Sequence, residues 1–141
     1  MPERSENILN KDGFYITVRV QGTDAATASN YGVFFIAKNP CEVFLVSEVH
    51  EVAGTDAGAV ELNIEQLTSG TALNSGNEIL VTDFNLKSTA NTPVEKEGTA
   101  LQNRQLKRGE RLALKDIGTL TSVDDVCVTI YFKPLGKGHY A

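Results

Sequence analysis

The residues able to do chemistry are few and scattered. Glu48 and His50 stand two apart in a β-rich run, so their side chains share one strand face, with Glu51 on the other. A carboxylate and an imidazole side by side are the beginning of a metal site. The rest of such a site is missing: there is no C-x-x-C, no H-x-x-x-H, and only two histidines, His50 and His139. The same pair also reads as an ordinary polar strand face. Ser47 is close to His50 in sequence, but alternation sends the two to opposite faces, and no G-x-S-x-G elbow exists. Cys127 reads as packing rather than as a nucleophile. Asp24 and Asp56 lie in small-residue loops without the calcium-loop pattern, and phosphate-cradling glycine motifs are absent. With no Trp and 7% aromatic residues, paired carboxylates lack the platforms of a sugar-cleaving cleft. The expectation is a protein that is not an enzyme, with no catalytic residue, cofactor or metal.

The elements around these residues read as strands. Residues 43–67 look like the organising unit, an antiparallel pair of β-runs joined by the small-residue linker AGTDAG. Val60, Leu62 and Ile64 alternate with Glu61, Asn63 and Glu65, the period of a half-buried strand. Further runs are expected at 14–21, 31–38, 79–86, 100–106, 111–116 and 125–133. Val126, Val128, Ile130 and Phe132 form the apolar face of the last. Between them, 22–30, 68–77 and 87–98 are rich in Gly, Ser, Thr and Asn and read as loops. About eight short strands without a convincing amphipathic helix point to an all-β fold, an antiparallel β-sandwich or jelly roll. A barrel is the alternative. The sandwich is expected over 14–134, with an N-terminal arm over 1–13 and a C-terminal tail over 135–141.

The 141 residues and 15.3 kDa are enough for one core without disulfides. Cys41 and Cys127 are therefore expected to be reduced thiols. The net charge of −5 leaves no surplus of Lys and Arg to neutralise phosphates, so no nucleic-acid partner is expected. Arg104, Lys107, Arg108 and Arg111 cluster locally and read as a solvated face. No run approaches a membrane span, and the polar start is not expected to act as a secretory signal.

One resemblance goes beyond these patterns. AGTDAGAVELNIEQLTSGTAL after His50, STANT after Lys87, LKRGERLAL and GTLTSVDDVCVTIYF follow one another in order between Val43 and Lys133. In order and spacing they resemble the capsid decoration, or cement, proteins of tailed bacteriophages. The resemblance implies a β-sandwich that sits as a homotrimer on the outer surface of a phage head and stabilises contacts of the major capsid protein. Such a protein is made in the host cytoplasm and ends in the virion. No catalytic motif comes with it.

Ile8 and Leu9, adjacent apolar residues in an otherwise polar arm, are the expected partner contacts, together with Phe14 at the start of the first strand. Two other roles compete. One is a phage tail, baseplate or head-fibre protein. The other is a carbohydrate-binding adhesion module using a groove lined by Tyr15, Tyr31 or Tyr131.

Overall fold

The computed structural model describes residues 13–135. They form two five-stranded antiparallel sheets packed face to face, so the expected all-β sandwich is the fold. The first sheet holds β1 (Phe14–Val20), β10 (Asp124–Pro134), β3 (Cys41–Val52) and β7 (Val94–Glu97) in that order, with β8 (Gln105–Leu106) also on β3. The second holds β2 (Val33–Ile36), β9 (Arg111–Gly118), β4 (Val60–Leu67) and β5 (Asn77–Glu78), with β6 (Phe84–Asn85) also on β4.

Alternation decides what faces the core. Val18 and Val20 from β1, Val43 and Val46 from β3, and Val126, Val128, Ile130 and Phe132 from β10 meet Leu62, Ile64, Leu112 and Leu114 of the other sheet. Adjacent strands stay in register over long stretches, with Phe14–Val20 against Phe132–Val126 and Val60–Leu67 against Gly118–Arg111.

The sequence-based organising hairpin is not formed. β3 pairs with β10 in one sheet, whereas β4 pairs with β9 in the other. The linker after β3 spans from Ala53 to Ala59, longer than a tight hairpin turn, and it carries the chain across the sandwich. The apolar faces of β3 and β4 thus meet through the core rather than edge to edge. Gly54 allows this crossing, because a Cβ there would lie 2.4 Å from Val60 Cγ1.

The expected strand over 79–86 is also broken. Within 77–86 only β5 and β6 pair with β4, and the chain between them bulges around the side chain of Asn63. Asn63 Oδ1 accepts from the backbone N–H groups of Ile64 (2.7 Å) and Leu80 (3.0 Å), while Nδ2 donates to Leu80 O and Asp83. The amide thereby takes the place of ladder bonds, and the consecutive residues Ile79 and Leu80 both enter the core. Asn63 and Glu65, expected on the solvated face of β4, are buried as a result. Glu65 accepts from the backbone N–H groups of Asn74 and Gly76 and closes the 68–76 loop.

Three further differences are local. Residues 22–31 coil into 3-10 turns kinked at Thr27, not a plain loop. The 31–38 run, expected as a buried strand, becomes the edge strand β2, irregular between Val33 and Phe35 and with Ile36 exposed. The 100–106 run is a strand only at its last two residues, since Asn103 takes a positive φ of 48°.

The two lateral sides of the sandwich differ. On one, Leu80 bridges Leu101, with Val81 N–H donating to Ala100 O and Gln102 N–H to Ile79 O, which ties the sheets together. On the other, β1 and β2 are edge strands of facing sheets. The 22–31 segment packs on β9 and β10 between them. Among the described residues the end nearest Phe14 stays open.

Candidate interaction surface

Phe14 enters β1 opposite Phe132 and stacks on it, with centroids 4.9 Å apart and planes 10° from parallel. Phe35 of β2 lies 4.5 Å from Phe132 and 6.1 Å from Phe14. This aromatic trio joins the edges of the two sheets. Phe14 nevertheless remains 39% exposed, because the sandwich ends there.

Beside it opens an apolar cleft of about 290 Å³ lined by Phe14, Phe35, Ile36, Pro40, Cys41 and Pro134. Lys38 and Asn39 form its polar rim. The two prolines follow from local chemistry, since neither can donate to a ladder and both stand at strand ends. Leu135 N–H donates to Pro40 O, which holds the end of β10 against the entrance to β3. Ile36, on the lip, is 52% exposed. Cys41 is buried, and desolvation pushes its thiol up to about 11, so it packs as a neutral apolar group.

The outer face of the first sheet carries a second cluster at the same end. Tyr15 and Tyr131 are cross-strand neighbours with centroids 4.8 Å apart, and Phe44 meets Tyr131 edge-on at 5.9 Å. Lys133 Nζ lies 3.9 Å from the Phe44 ring centre, a cation–π contact. Of the tyrosines expected to line one groove, Tyr15 and Tyr131 come together. Tyr31 instead closes the 3-10 segment beyond the other end of β1. Tyr131 also lies across Gly13, where a Cβ would meet its hydroxyl at 2.0 Å.

The remaining candidates take structural positions. Glu48 and His50 do share a strand face, but it is the inner one, and both are buried. His50 Nδ1 is 2.9 Å from Glu48 Oε2, and Nε2 is 3.1 Å from Ser88 O. Among the described residues no three His, Cys, Asp or Glu side chains gather to hold a metal. Ser47 faces away from His50 and donates to Glu95. Cys41 and Cys127 are both free thiols. In the basic cluster, Arg104 pairs with Glu42 at 3.0 Å and Arg111 donates to Thr68 O and Thr71 O. These two arginines fasten loops rather than form an open cationic face. Ile8 and Leu9 lie outside the described residues.

No protein-family model matches this chain, and no curated protein matches it. Solved structures do. A chain in the structure of the capsid of Ralstonia phage GP4 aligns over 89% of this chain and 86% of its own, at 12% identity and a TM-score of 0.59. What the two share is the fold. A chain from the disulfide-linked pili of Bacillus endospore appendages aligns over 87% of this chain and 88% of its own, at 12% identity and a TM-score of 0.34.

The walls of the cleft come from β1, β2, the entrance to β3 and the end of β10, four segments with no local sequence signal in common. Of the three residues expected to contact a partner, Phe14 alone is described, and it forms one of those walls. Phe35, Ile36 and Pro134 were not legible as site residues, because only the pairing of distant strands brings them together.

Proposed function

We propose that this chain is a structural virion protein, a decoration or cement protein bound as a homotrimer to the outer surface of a tailed-phage head. The observation that supports this reading most is the likeness in fold, over nearly the whole of both chains, to a chain of a phage capsid. The order of the AGTDAG, STANT, LKRGERLAL and GTLTSVDD phrases points the same way. The major capsid protein is the partner, and the sandwich of residues 14–134 is the body that docks, with an arm over 1–13 and a tail over 135–141. Ile8, Leu9 and Phe14 belong to the contact surface.

Cement action needs no catalytic group. A protein that binds only the assembled shell stabilises that shell by mass action, about 2.7 kcal/mol per site at a free concentration of 100 times Kd. Symmetry repeats this contribution over many sites. The test is addition of purified chain to heads that lack it. Saturable co-sedimentation with a rise in the temperature of head disruption supports the proposal, and the absence of both overturns it.

The pair of exposed Tyr15 and half-buried Tyr131 beside Lys133 favours one second reading, a carbohydrate-binding adhesion module. Retention on a glycan array that is lost in Tyr15→Ala would place that reading first. A tail, baseplate or head-fibre role is separated from the head by copy number.

A further inference from the structure

The outer edges of the two sheets are not alike. β7 has four residues, three of them charged, Glu95, Lys96 and Glu97. β2 also has four residues and is irregular between Val33 and Phe35. β5, β6 and β8 have two residues each. Shortness, charge and irregularity are the devices that keep strand edges from pairing with other chains. β1 has none of them. It runs seven residues, pairs with β10 at every one without a bulge, and carries no proline and a single charge, Arg19. Among the described residues, neither another strand nor a backbone bond from a loop reaches its far side.

The residues along this edge complement themselves. An antiparallel pair opposes residues that share a face, and a two-fold axis at Thr17 is the register that uses all seven. Tyr15 then stands opposite Arg19 of the second copy, Ile16 opposite Val18, and Thr17 opposite Thr17. Moving the axis to Ile16 or Val18 sets Thr17 against Tyr15 or Arg19 and leaves two of the seven without a partner from the other β1. Tyr15 and Arg19 are both exposed on the outer face but stand about 13 Å apart along one strand, so they meet only between copies. The Tyr15 ring leans on Tyr131 with centroids 4.8 Å apart and is otherwise open, the residue being 66% exposed, which suits a guanidinium. Lys133 over Phe44 is the same kind of contact on the same face. Thr17 Oγ1 lies 3.0 Å from Thr129 Oγ1, and Thr129 stands beside Ser47, so a second Thr17 continues a row of hydroxyl side chains.

We propose that β1 pairs edge to edge with β1 of a second copy of this chain, antiparallel and in the register that sets Tyr15 against Arg19. The contact is isologous. It is separate from the three-fold association proposed above and joins one trimer to the next, the first sheet of each running on into that of its neighbour.

A cysteine pair reads the register. Directly opposed residues of an antiparallel pair have Cα atoms about 4.5–5.5 Å apart, within the span of a disulfide. Cys127, the cross-strand neighbour of Arg19, is first changed to Ser. In that background, Thr17→Cys is expected to yield a species of twice the 15.3 kDa chain mass on mild oxidation with diamide. Arg19→Cys is the control, since its two copies stand about 13 Å apart in this register. Adding Tyr15→Lys to Thr17→Cys opposes like charges at both symmetric positions and is expected to slow crosslinking roughly fivefold, whereas Tyr15→Glu, facing Arg19, preserves it. The far-edge amides of β1 are expected to exchange faster in Tyr15→Lys than in wild type. Thermal unfolding checks that each variant folds. Three results overturn the proposal. They are no crosslink at residue 17, equal crosslinking at 17 and 19, or crosslinking and β1 protection that Tyr15→Lys leaves unchanged. The last means that another segment of the same chain holds the edge. Head binding is scored separately, so the decoration role stands or falls on its own.

Discussion

Glu48 Oε2 lies 2.9 Å from His50 Nδ1, with both side chains buried inside the sandwich. The other ring nitrogen faces Ser88 O, which only accepts, so Nε2 carries a hydrogen. A single proton then holds the Glu48–His50 contact together, whichever partner bears it. The second carboxylate oxygen, Oε1, is buried without a partner. Burial pushes the Glu48 carboxyl above its ordinary range, against a smaller opposing effect of the His50 hydrogen bond.

A group whose pKa is raised by folding stabilises the fold below its unfolded pKa and ceases to do so as pH rises through the folded one. The contribution of Glu48 is therefore complete below pH 4.5 and declines above it. In Glu48→Gln the side chain has no carboxyl to titrate. The stability of this variant relative to wild type is expected to rise between pH 4 and pH 7 in urea unfolding. A constant difference would contradict the shared-proton account.

Removing the imidazole instead leaves a buried carboxyl unpaired. His50→Ala is expected to cost about 3–5 kcal/mol at pH 7. It should also loosen the 88–91 loop, since the ring bond to Ser88 O is lost and only the main-chain bond from Asn91 N–H to the residue-50 carbonyl remains. Hydrogen exchange at Asn91 reads the second effect, and unchanged protection there would rule it out.

Asn63 replaces ladder bonds with its side chain. Asn63→Ala strips the partner from the buried Leu80 N–H, a loss that costs about 1–3 kcal/mol, and leaves Leu80 O only the longer bond from Gln102 Nε2 at 3.4 Å. A change in unfolding free energy within about 0.5 kcal/mol, the range of a neutral surface substitution, would show that the bulge is held by something else.

Gly118 ends β9 at a φ of +82°, and a Cβ there would lie 1.9 Å from Ala59 O. Gly118→Ala meets both backbone strain and a clash with main chain that cannot swing away. Its expected cost exceeds about 1 kcal/mol. A melting temperature equal to wild type would contradict the close approach of β9 to the start of β4.

The two thiols differ in access. Cys41 is buried with its pKa near 11, while Cys127 is half-buried on the outer face of β10. At pH 8 a thiol reagent is expected to titrate Cys127 in the native protein and Cys41 only after unfolding. Equal native rates would mean that the cleft floor is open.

The sequence exposed faces well and partners poorly. Alternation placed Val60, Leu62 and Ile64, and Val126 to Phe132, on buried faces, because a strand with one side in the core must repeat every second residue. It did not tell which strand lies beside which. β3 and β4 look like a hairpin in sequence and pack across the core in space, a difference set by β10 and β9 far along the chain. The burial of Asn63 and Glu65 was equally hidden, since polar residues in alternation normally face water. Here the 68–83 excursion folds back and satisfies them. That Phe14 lines a cleft could not be read from the sequence, and neither could the exposure of Ile36, because the run 31–38 reads as a buried strand until β2 is seen to be an edge.

The most direct test of a decoration role is copy number, measured by quantitative mass spectrometry of gradient-purified virions relative to the major capsid protein. The account predicts hundreds of copies in a fixed ratio to capsid subunits. A handful of copies per particle would move the protein to the tail, baseplate or portal end, and its absence from virions would contradict the account outright.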